Sequence, residues 1–464
     1  MSRASCARRG QTSWSPPRPR FTPDPAPDRV SGYFHTGGTT AAPKLVRHTQ
    51  RGQLLNAWNS GAQLGPASDE VVGHGMPNFH VGGAILGCLR SLVMGQTLLT
   101  LTPGGFRDAG VVGRFWDIAR QYGMTSVLAA PTTCAMLLAQ RDARSDGHAI
   151  RAVSTGGGAM PRDLGRAFHE RFGTPLRELW GMTEFQGILS ANPLGATAPR
   201  IGSVGLMSPF HRVIPARIGD GAFAGACGPG EKGVLAVGGP CVTPGYLGLD
   251  DAALCVRGMP DGGRWVNSGD LGAEDADGYV WLYGRQKDII VRGGHNIEPA
   301  LVEDALTRHP AVQVAAAVGQ PDALKGELPL AYVQLRAGAR ATPEELLDLC
   351  RREVAERAAV PVEVVIVETV PVTAVGKIYK PALRLDAMAR VAARVVADTL
   401  GTAHAVRVEA VETTTRPTVR VTLPSDNLSD GDAARLRDAF APFLFETEIV
   451  TVGEATAGEA TAVR

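Results

Sequence analysis

No Cys-x-x-C pair occurs in this chain, and its seven cysteines are scattered without metal-ligand spacing. That excludes a disulfide framework and a zinc ribbon; an odd, unpatterned set reads as reduced thiols, with a cytoplasmic setting as the expectation. A charge excess is also missing, since 47 Lys+Arg against 46 Asp+Glu leave a formal net charge of +1. Nothing therefore points to nucleic acid or an anionic membrane surface as a partner. Long apolar runs are absent too. The longest, "HVGGAILGCLRSLVMG", is interrupted by Arg90 and is too short to span a bilayer. The arginines near the start have no apolar stretch behind them, so no secretion signal is expected. No internal repeat is found.

What is present divides the 464 residues into unequal parts. At ~100–200 residues per domain, about two to four domains are expected. Residues 1–31 are rich in Pro, Arg and Ser, bury little, and are expected to be disordered. From Gly32 short strand patterns ("DEVVGHGMP", "QTLLTLT", "TSVLAA", "AIRAVSTGG", "PLRELWG") alternate with helical ones ("AILGCLRSLVMG", "VVGRFWDIARQYG", "PTTCAMLLAQR", "PRDLGRAFHERFG"). That alternation predicts βαβ units on a largely parallel sheet, an α/β fold. From about Ile201 to Tyr283 the chain turns Gly-rich and β-like. A small α+β module follows, in which Thr342 caps a helix with glutamates in its first turn. A tail from about Leu385 holds an alanine-rich helix, three strands and a further helix.

Four clusters carry chemistry. "TGGTTAAPK" offers backbone N–H groups, hydroxyls and the Lys44 ammonium, all suited to a polyphosphate. It lacks the Gly-Lys-Ser/Thr of the Walker loop, and Pro43 pushes the chain on into a strand. A hairpin with a Gly turn explains it as well. "ELWGMTEFQG" supplies Trp180, which can stack on a flat base, the Thr183 hydroxyl, and Glu184, a hard oxygen ligand suited to Mg²⁺. A core Trp and a surface Glu would look the same. In "WVNSGDLGAEDADGYVWLYGRQKDIIVRGGHNIEP", Asp270 can accept from two ribose hydroxyls and Arg285 can bond ribose or phosphate. "RGGHNI" is a turn that lets backbone approach a ligand. In "TAVGKIYKPALR", Lys377 follows a Gly in a loop, where an exposed surface lysine is the ordinary occupant.

Taken together and in this order, these clusters resemble the adenylate-forming superfamily of acyl-CoA synthetases, adenylation domains and luciferases. "TGGTTAAPK" is similar to its phosphate loop, "STGGGAMP" and "WGMTE" to its adenine and acyl-site motifs. "SGDLG", "GRQKDIIVRGGHNI" and "GKIYK" are similar to its ribose, hinge and C-terminal lysine motifs. The resemblance runs from about Tyr33 to Arg384. The spelling is most like bacterial fatty-acyl-CoA synthetases, which implies a fatty or other apolar acid as substrate, with ATP, Mg²⁺ and CoA.

The resemblance also implies domains and roles. The expected parts are a large AMP-binding domain (32–286; parallel sheet with flanking helices plus a β-rich subdomain), a mobile α+β lid (287–384) and an α+β extension (385–464). Thr36, Gly37, Gly38, Thr39, Thr40 and Lys44 would handle the β,γ-phosphates. Gly156, Gly157, Trp180 and Gly181 would flank adenine and the acyl group. Thr183 would bond the α-phosphate, and Glu184 would hold Mg²⁺. Asp270 and Arg285 would bind ribose, and Lys287 would be the hinge. Gly293 and Gly294 would line the pantetheine path, and Lys377 would bridge the carboxylate and α-phosphate. His80, in "PNFHVGG", would gate the acyl pocket; a packed core histidine is the plainer reading.

Two departures accompany this. Family members usually have Gly where Ala41 stands; if φ is positive there, Ala is strained by ~1 kcal/mol. Only residues 1–32 precede Tyr33, whereas the family carries a long N-terminal region. The chain is therefore expected to be N-terminally truncated, with apolar surface left open and solubility or activity reduced. No carrier-protein module is apparent after Arg384, and the thiol acceptor stays open between CoA and a separate carrier.

Overall fold

A computed structural model describes residues 26–36, 44–140, 143–158, 160–195, 199–250, 254–373, 376–401, 406–411, 417–424 and 430–452. The first strands, β1 (Val30–His35) and β2 (Leu45–Thr49), form an antiparallel hairpin. Residues 26–31, expected to be disordered, are thus structured, and residues 1–25 lie outside the described residues.

Twelve strands make one sheet. β3 (Val71–His74), β4 (Thr97–Thr100), β5 (Ser126–Ala129), β6 (Ala152–Gly156) and β7 (Leu176–Met182) run parallel, in the spatial order β4-β3-β5-β6-β7. The sheet continues antiparallel through β8 (Gly187–Ala191), β9 (Ser203–Met207), β14 (Tyr279–Arg285), β13 (Trp265–Glu274), β12 (Gly233–Gly238), β10 (Arg212–Gly219) and β11 (Ala222–Ala226). The expected parallel core and β-rich subdomain are therefore two halves of one sheet. The direction reverses at the β7–β8 connection, within "WGMTEFQG".

Period-two alternation explains why helices cover both faces of the parallel half. In β5, Val127 packs into a cluster with Phe115, Trp116, Leu137 and Phe168, while its neighbour Leu128 packs on the opposite side with Ala57, Leu86 and Leu179. The second cluster belongs to a helix the sequence patterns did not predict, Gln50–Leu64. Its buried face holds Gly52, Asn56, Asn59, Ser60 and Gly61, so it lacks the apolar period that marks a helix. Its other face is partly apolar and open: Leu54 and Trp58 are exposed, with the Trp58 ring 6.3 Å from that of Phe210.

After Arg285 a single turn leads into the lid. Its sheet contains β15 (Ile290–Arg292), β16 (His295–Ile297), β17 (Val312–Asp322), β18 (Gly326–Leu335) and β19 (Glu363–Val367). Ala315, Ala317, Ala331 and Val333 face the helices Pro299–Thr307 and Pro343–Glu353; Ala316, Val318, Leu330 and Tyr332 face the helix Lys380–Leu400. The Thr342 cap forms as expected, as a reciprocal capping box with Glu345. The helix Lys380–Leu400 runs unbroken through residue 384. Leu383 and Ala387 pack on the lid, while Ala392 and Val396 pack on the sheet of β20 (Arg407–Val411), β21 (Thr418–Pro424) and β22 (Glu446–Val452). One helix thus joins the lid and the extension. Among the described residues no helix is long and apolar enough to cross a membrane.

Candidate active site

The carboxyl ends of β6 and β7 open beside the point where the sheet reverses. In α/β sheets that is where a crevice forms, because neighbouring connections leave in different directions. The site is built there.

The β1–β2 hairpin closes through the Thr36 N–H, which donates to the Lys44 carbonyl at 2.8 Å. Gly37, Gly38, Thr39, Thr40 and Ala41 lie outside the described residues. Lys44, at the foot of the loop, is exposed, and its Nζ lies 4.9 Å from the ring centre of Tyr246. β2 then passes directly into the helix Gln50–Leu64, capped by the Thr49 hydroxyl, which accepts from Gly52 N–H.

Buried polar side chains fix the reversal motif from behind. Asn56 accepts from Ile188 N–H at 2.8 Å and donates to the carbonyls of Phe185 (3.0 Å) and Ile188 (2.9 Å). Gln186 is left-handed, with φ 62°, and accepts from Thr49 N–H at 3.1 Å. Such a conformation costs a non-glycine residue energy and persists where neighbours determine it. His48 Nε2 donates to the Thr183 carbonyl at 2.8 Å. Burial pushes His48 down to about 4, so it stays neutral. Thr183 itself is buried. Glu184 is half-buried, and its Oε1 accepts from the Tyr246 hydroxyl at 2.8 Å. His48, Asn56, Gln186 and Tyr246 escaped the sequence reading. Their signals were weak, because each lies outside the recognised motif or looks like an ordinary polar residue within it.

Asp270 joins the two halves of the sheet. It is buried on β13, in register with Arg285 on β14. Its Oδ2 accepts from the Trp180 indole N–H at 2.8 Å, and its Oδ1 meets Arg285 Nε at 2.7 Å. Burial raises the Asp270 carboxyl; Arg285, the indole N–H and Lys377 oppose that, and Glu184 adds to it. Trp180 is 5 % exposed and packs with Val46 and Val204. The structure thus presents it as a core residue that orients Asp270, in place of the open stacking surface its type suggested. Gly156 and Gly181 are tight positions, where a Cβ would meet Leu179 or the Gly187 carbonyl.

Lys377 arrives from the lid. Its loop is a hairpin closed by a bridge between Val372 and Ile378. A Cβ on Gly157 would stand 2.9 Å from Lys377 Cε, near the tip of that side chain, and Gly157 has φ +85°, a backbone conformation that favours glycine. Burial pushes the ammonium down to about 8; Arg285 acts in the same sense, and Asp270 and Glu184 in the other. His80 caps the short turn that follows it, its Nδ1 accepting from Gly82 N–H at 3.0 Å. Burial, then the charges of Lys377 and His35, hold it neutral, down to about 4. Lys377, Gly157, Asp270, Arg285, Glu184 and His80 therefore form one electrostatic neighbourhood. Gly293 and Gly294 are elsewhere, in the exposed turn between β15 and β16, with open space where side chains would begin. Lys287 lies in the connecting turn, where its carbonyl accepts from Arg384 at 3.2 Å and Arg384 pairs with Asp288.

Among the described residues no group of three or more His, Cys, Asp or Glu gathers as a metal cage. Glu184 is half-buried and offers a carboxylate in the neighbourhood of Asp270 and Lys377. That fits Mg²⁺, which takes one or two protein carboxylates and completes its shell with substrate phosphates and water.

This sheet, with its lysine-bearing lid, defines an adenylate-forming architecture. The family description "AMP-binding enzyme" matches residues 3–247, and "AMP-binding enzyme C-terminal domain" matches residues 301–377. Marinolic acid–CoA ligase of Pseudoalteromonas sp. (strain SANK 73390) is 39% identical over 368 residues, 78% of this chain and 55% of that protein. Sulfoacetate–CoA ligase of Cupriavidus necator is 34% identical over 77% of this chain and 67% of its own length. The solved o-succinylbenzoate CoA synthetase of Bacillus subtilis, in complex with its acyl-adenylate, superposes with a TM-score of 0.63 at 27% identity, covering 77% of this chain and 69% of that one. The chain belongs to the AMP-binding enzyme family. It spans about half the length of the first of these relatives and about two thirds of the second.

Proposed function

We propose that this protein activates a carboxylic acid with ATP and transfers the acyl group to CoA. In the first step a carboxylate oxygen attacks the α-phosphorus, and pyrophosphate leaves. In the second a thiolate attacks the acyl carbon, and AMP leaves. The observation that carries this reading is the placement of Lys377 against Gly157, within the field of Asp270 and Glu184. A carboxylate is a poor electrophile; adenylation supplies a leaving group, and a fixed ammonium stabilises the charge that concentrates at phosphorus. Asp270 with Arg285 would hold the ribose, and the Thr183 hydroxyl the α-phosphate. Glu184, steadied by Tyr246, would hold Mg²⁺, which supplies neutralisation of the phosphate oxygens. Lys377 beside Gly157, with Gly293 and Gly294 in an exposed turn, supports reading this arrangement as the adenylating half of the cycle. The fatty or apolar character of the acid is part of this proposal and rests on the sequence spelling alone.

The test is pyrophosphate release dependent on an added acid, followed by thioester formation with free CoA. Adenylate without thioester would assign a separate carrier as acceptor; neither product would mark a nucleotide-binding remnant. In the same assay Glu184→Gln keeps the side chain's shape and loses its charge. We expect it to lower the adenylation rate at limiting Mg²⁺ about 10- to 100-fold, the scale of one charge-assisted contact, with the fold intact by circular dichroism. An unchanged rate under those conditions would remove Glu184 from the metal site.

A further inference from the structure

We infer that Thr132 is a positioning residue that latches the lysine loop of the lid into the adenylating pose; this rests on the adenylation reading above. Thr132 is the second residue of the helix Pro131–Ala139, which starts directly after β5. Its hydroxyl donates to the Gly376 carbonyl at 2.9 Å, across 244 positions of sequence. Gly376 has φ +80°, and a Cβ there would stand 2.9 Å from Thr132 Oγ1 and 3.7 Å from Ala130 Cβ. The lid backbone thus touches the large domain at this point, one residue from Lys377.

The loop itself is already closed. Thr373 N–H donates to the Lys377 carbonyl at 2.7 Å, and Gly376 N–H to the Thr373 carbonyl at 2.8 Å. Lys377 N–H donates to Thr373 Oγ1 at 3.2 Å. These bonds tie Gly376 and Lys377 to Thr373, so a contact that holds Gly376 to the large domain also bears on where the Lys377 backbone sits. Ion pairs also cross between the domains, Arg308–Asp163 and Lys232–Glu298 among the described residues, but the basic side chains are half-exposed. Long, solvated side chains keep such pairs through shifts of an ångström or more and are screened by salt. A short hydroxyl on a helix, bonded to a backbone carbonyl, does not. Thr132 bonds the Gly376 carbonyl, one residue from Lys377, so its effect on the ammonium passes through the lid backbone.

The test uses the full chain and the variants Thr132→Val, which keeps the shape and removes the donor, and Thr132→Ser, which restores it. Hydrogen exchange across 371–379 reads the docking without any need for catalysis. We expect faster exchange there in Thr132→Val, with the sheet unchanged, and parent behaviour in Thr132→Ser. For adenylation, Thr132→Val should lower kcat about three- to tenfold, the scale of one neutral hydrogen bond, with little change in KM for ATP. Thioester formation from preformed acyl-adenylate should run at the parent rate. Parent-like exchange in Thr132→Val would overturn the latch, whatever the activity. Equal losses in both half-reactions would also overturn it, by making Thr132 merely structural. Loosened exchange in a chain whose parent form makes no adenylate would uphold the latch and overturn the function proposed above.

Discussion

Lys377→Ala is expected to lower acyl-adenylate formation about 10²- to 10³-fold, the usual cost of removing one preorganised charge from a transition state. The Lys377 aliphatic stem lies against Gly157, and its ammonium shares the field of Asp270, Glu184 and Arg285. The nearby lid lysine Lys380 is paired with Glu303 at 2.7 Å. The same variant should convert preformed acyl-adenylate to the thioester at near the parent rate, because that step needs no cation at phosphorus. The pH dependence has a definite sign. Catalysis needs the charged form, and burial brings Lys377 down to about 8. Adenylation kcat/KM, which reports the free enzyme, should therefore fall as pH rises through about 8. Equal loss of both half-reactions would make Lys377 structural, and no loss in either would make it a surface lysine.

Asp270→Ala should damage both folding and nucleotide binding. One carboxylate accepts from the Trp180 indole N–H and faces Arg285. Its removal leaves a buried donor unmatched and takes away the anion that pairs with Arg285 and offsets its charge at Lys377. Breaking a buried pair costs about 3–5 kcal/mol; the Arg285 side chain, 44% exposed, can turn to water, so about 2–3 kcal/mol is expected, read as a lower midpoint in denaturant. KM for ATP should rise at least about tenfold, since the ribose would lose a charged acceptor. Asp270→Asn separates the two effects. The amide can keep the Trp180 bond, sparing most of the stability. It loses the charge that holds the Lys377 ammonium up, so the alkaline fall in adenylation should move to lower pH. An Asp270→Ala protein with parent stability and parent KM for ATP would detach this residue from the site.

The parallel half of the sheet was legible because its strands are short apolar runs between amphipathic helices, a pattern that local physics imposes. The lid was legible for the same reason, down to the Thr342 cap. The helix Gln50–Leu64 was not. Its buried face spends its contacts on hydrogen bonds, Asn56 to Phe185 and Ile188 above all, and an apolar-period search is blind to that. Trp180 was ambiguous in a related way: its type suited either a stacking surface or the core, and only the packed sheet shows the ring enclosed and its N–H aimed at Asp270.

By itself the sequence determined which chemical groups are available, in which order, and on which kind of element: a Gly/Thr loop between strands, an acid after a strand end, a lysine after a Gly in a loop. It could not show that "VGKIYK" reaches "STGGG". Tertiary structure decided that, by reversing the sheet at β7–β8, bringing Asp270 and Arg285 beside Trp180, and folding the lid back until Gly376 meets Thr132. The physical reason is close approach. Gly376 has no Cβ to press on Thr132 and Ala130, and only in the assembled fold do the charges of Lys377, Asp270 and Glu184 come near enough to act on one another.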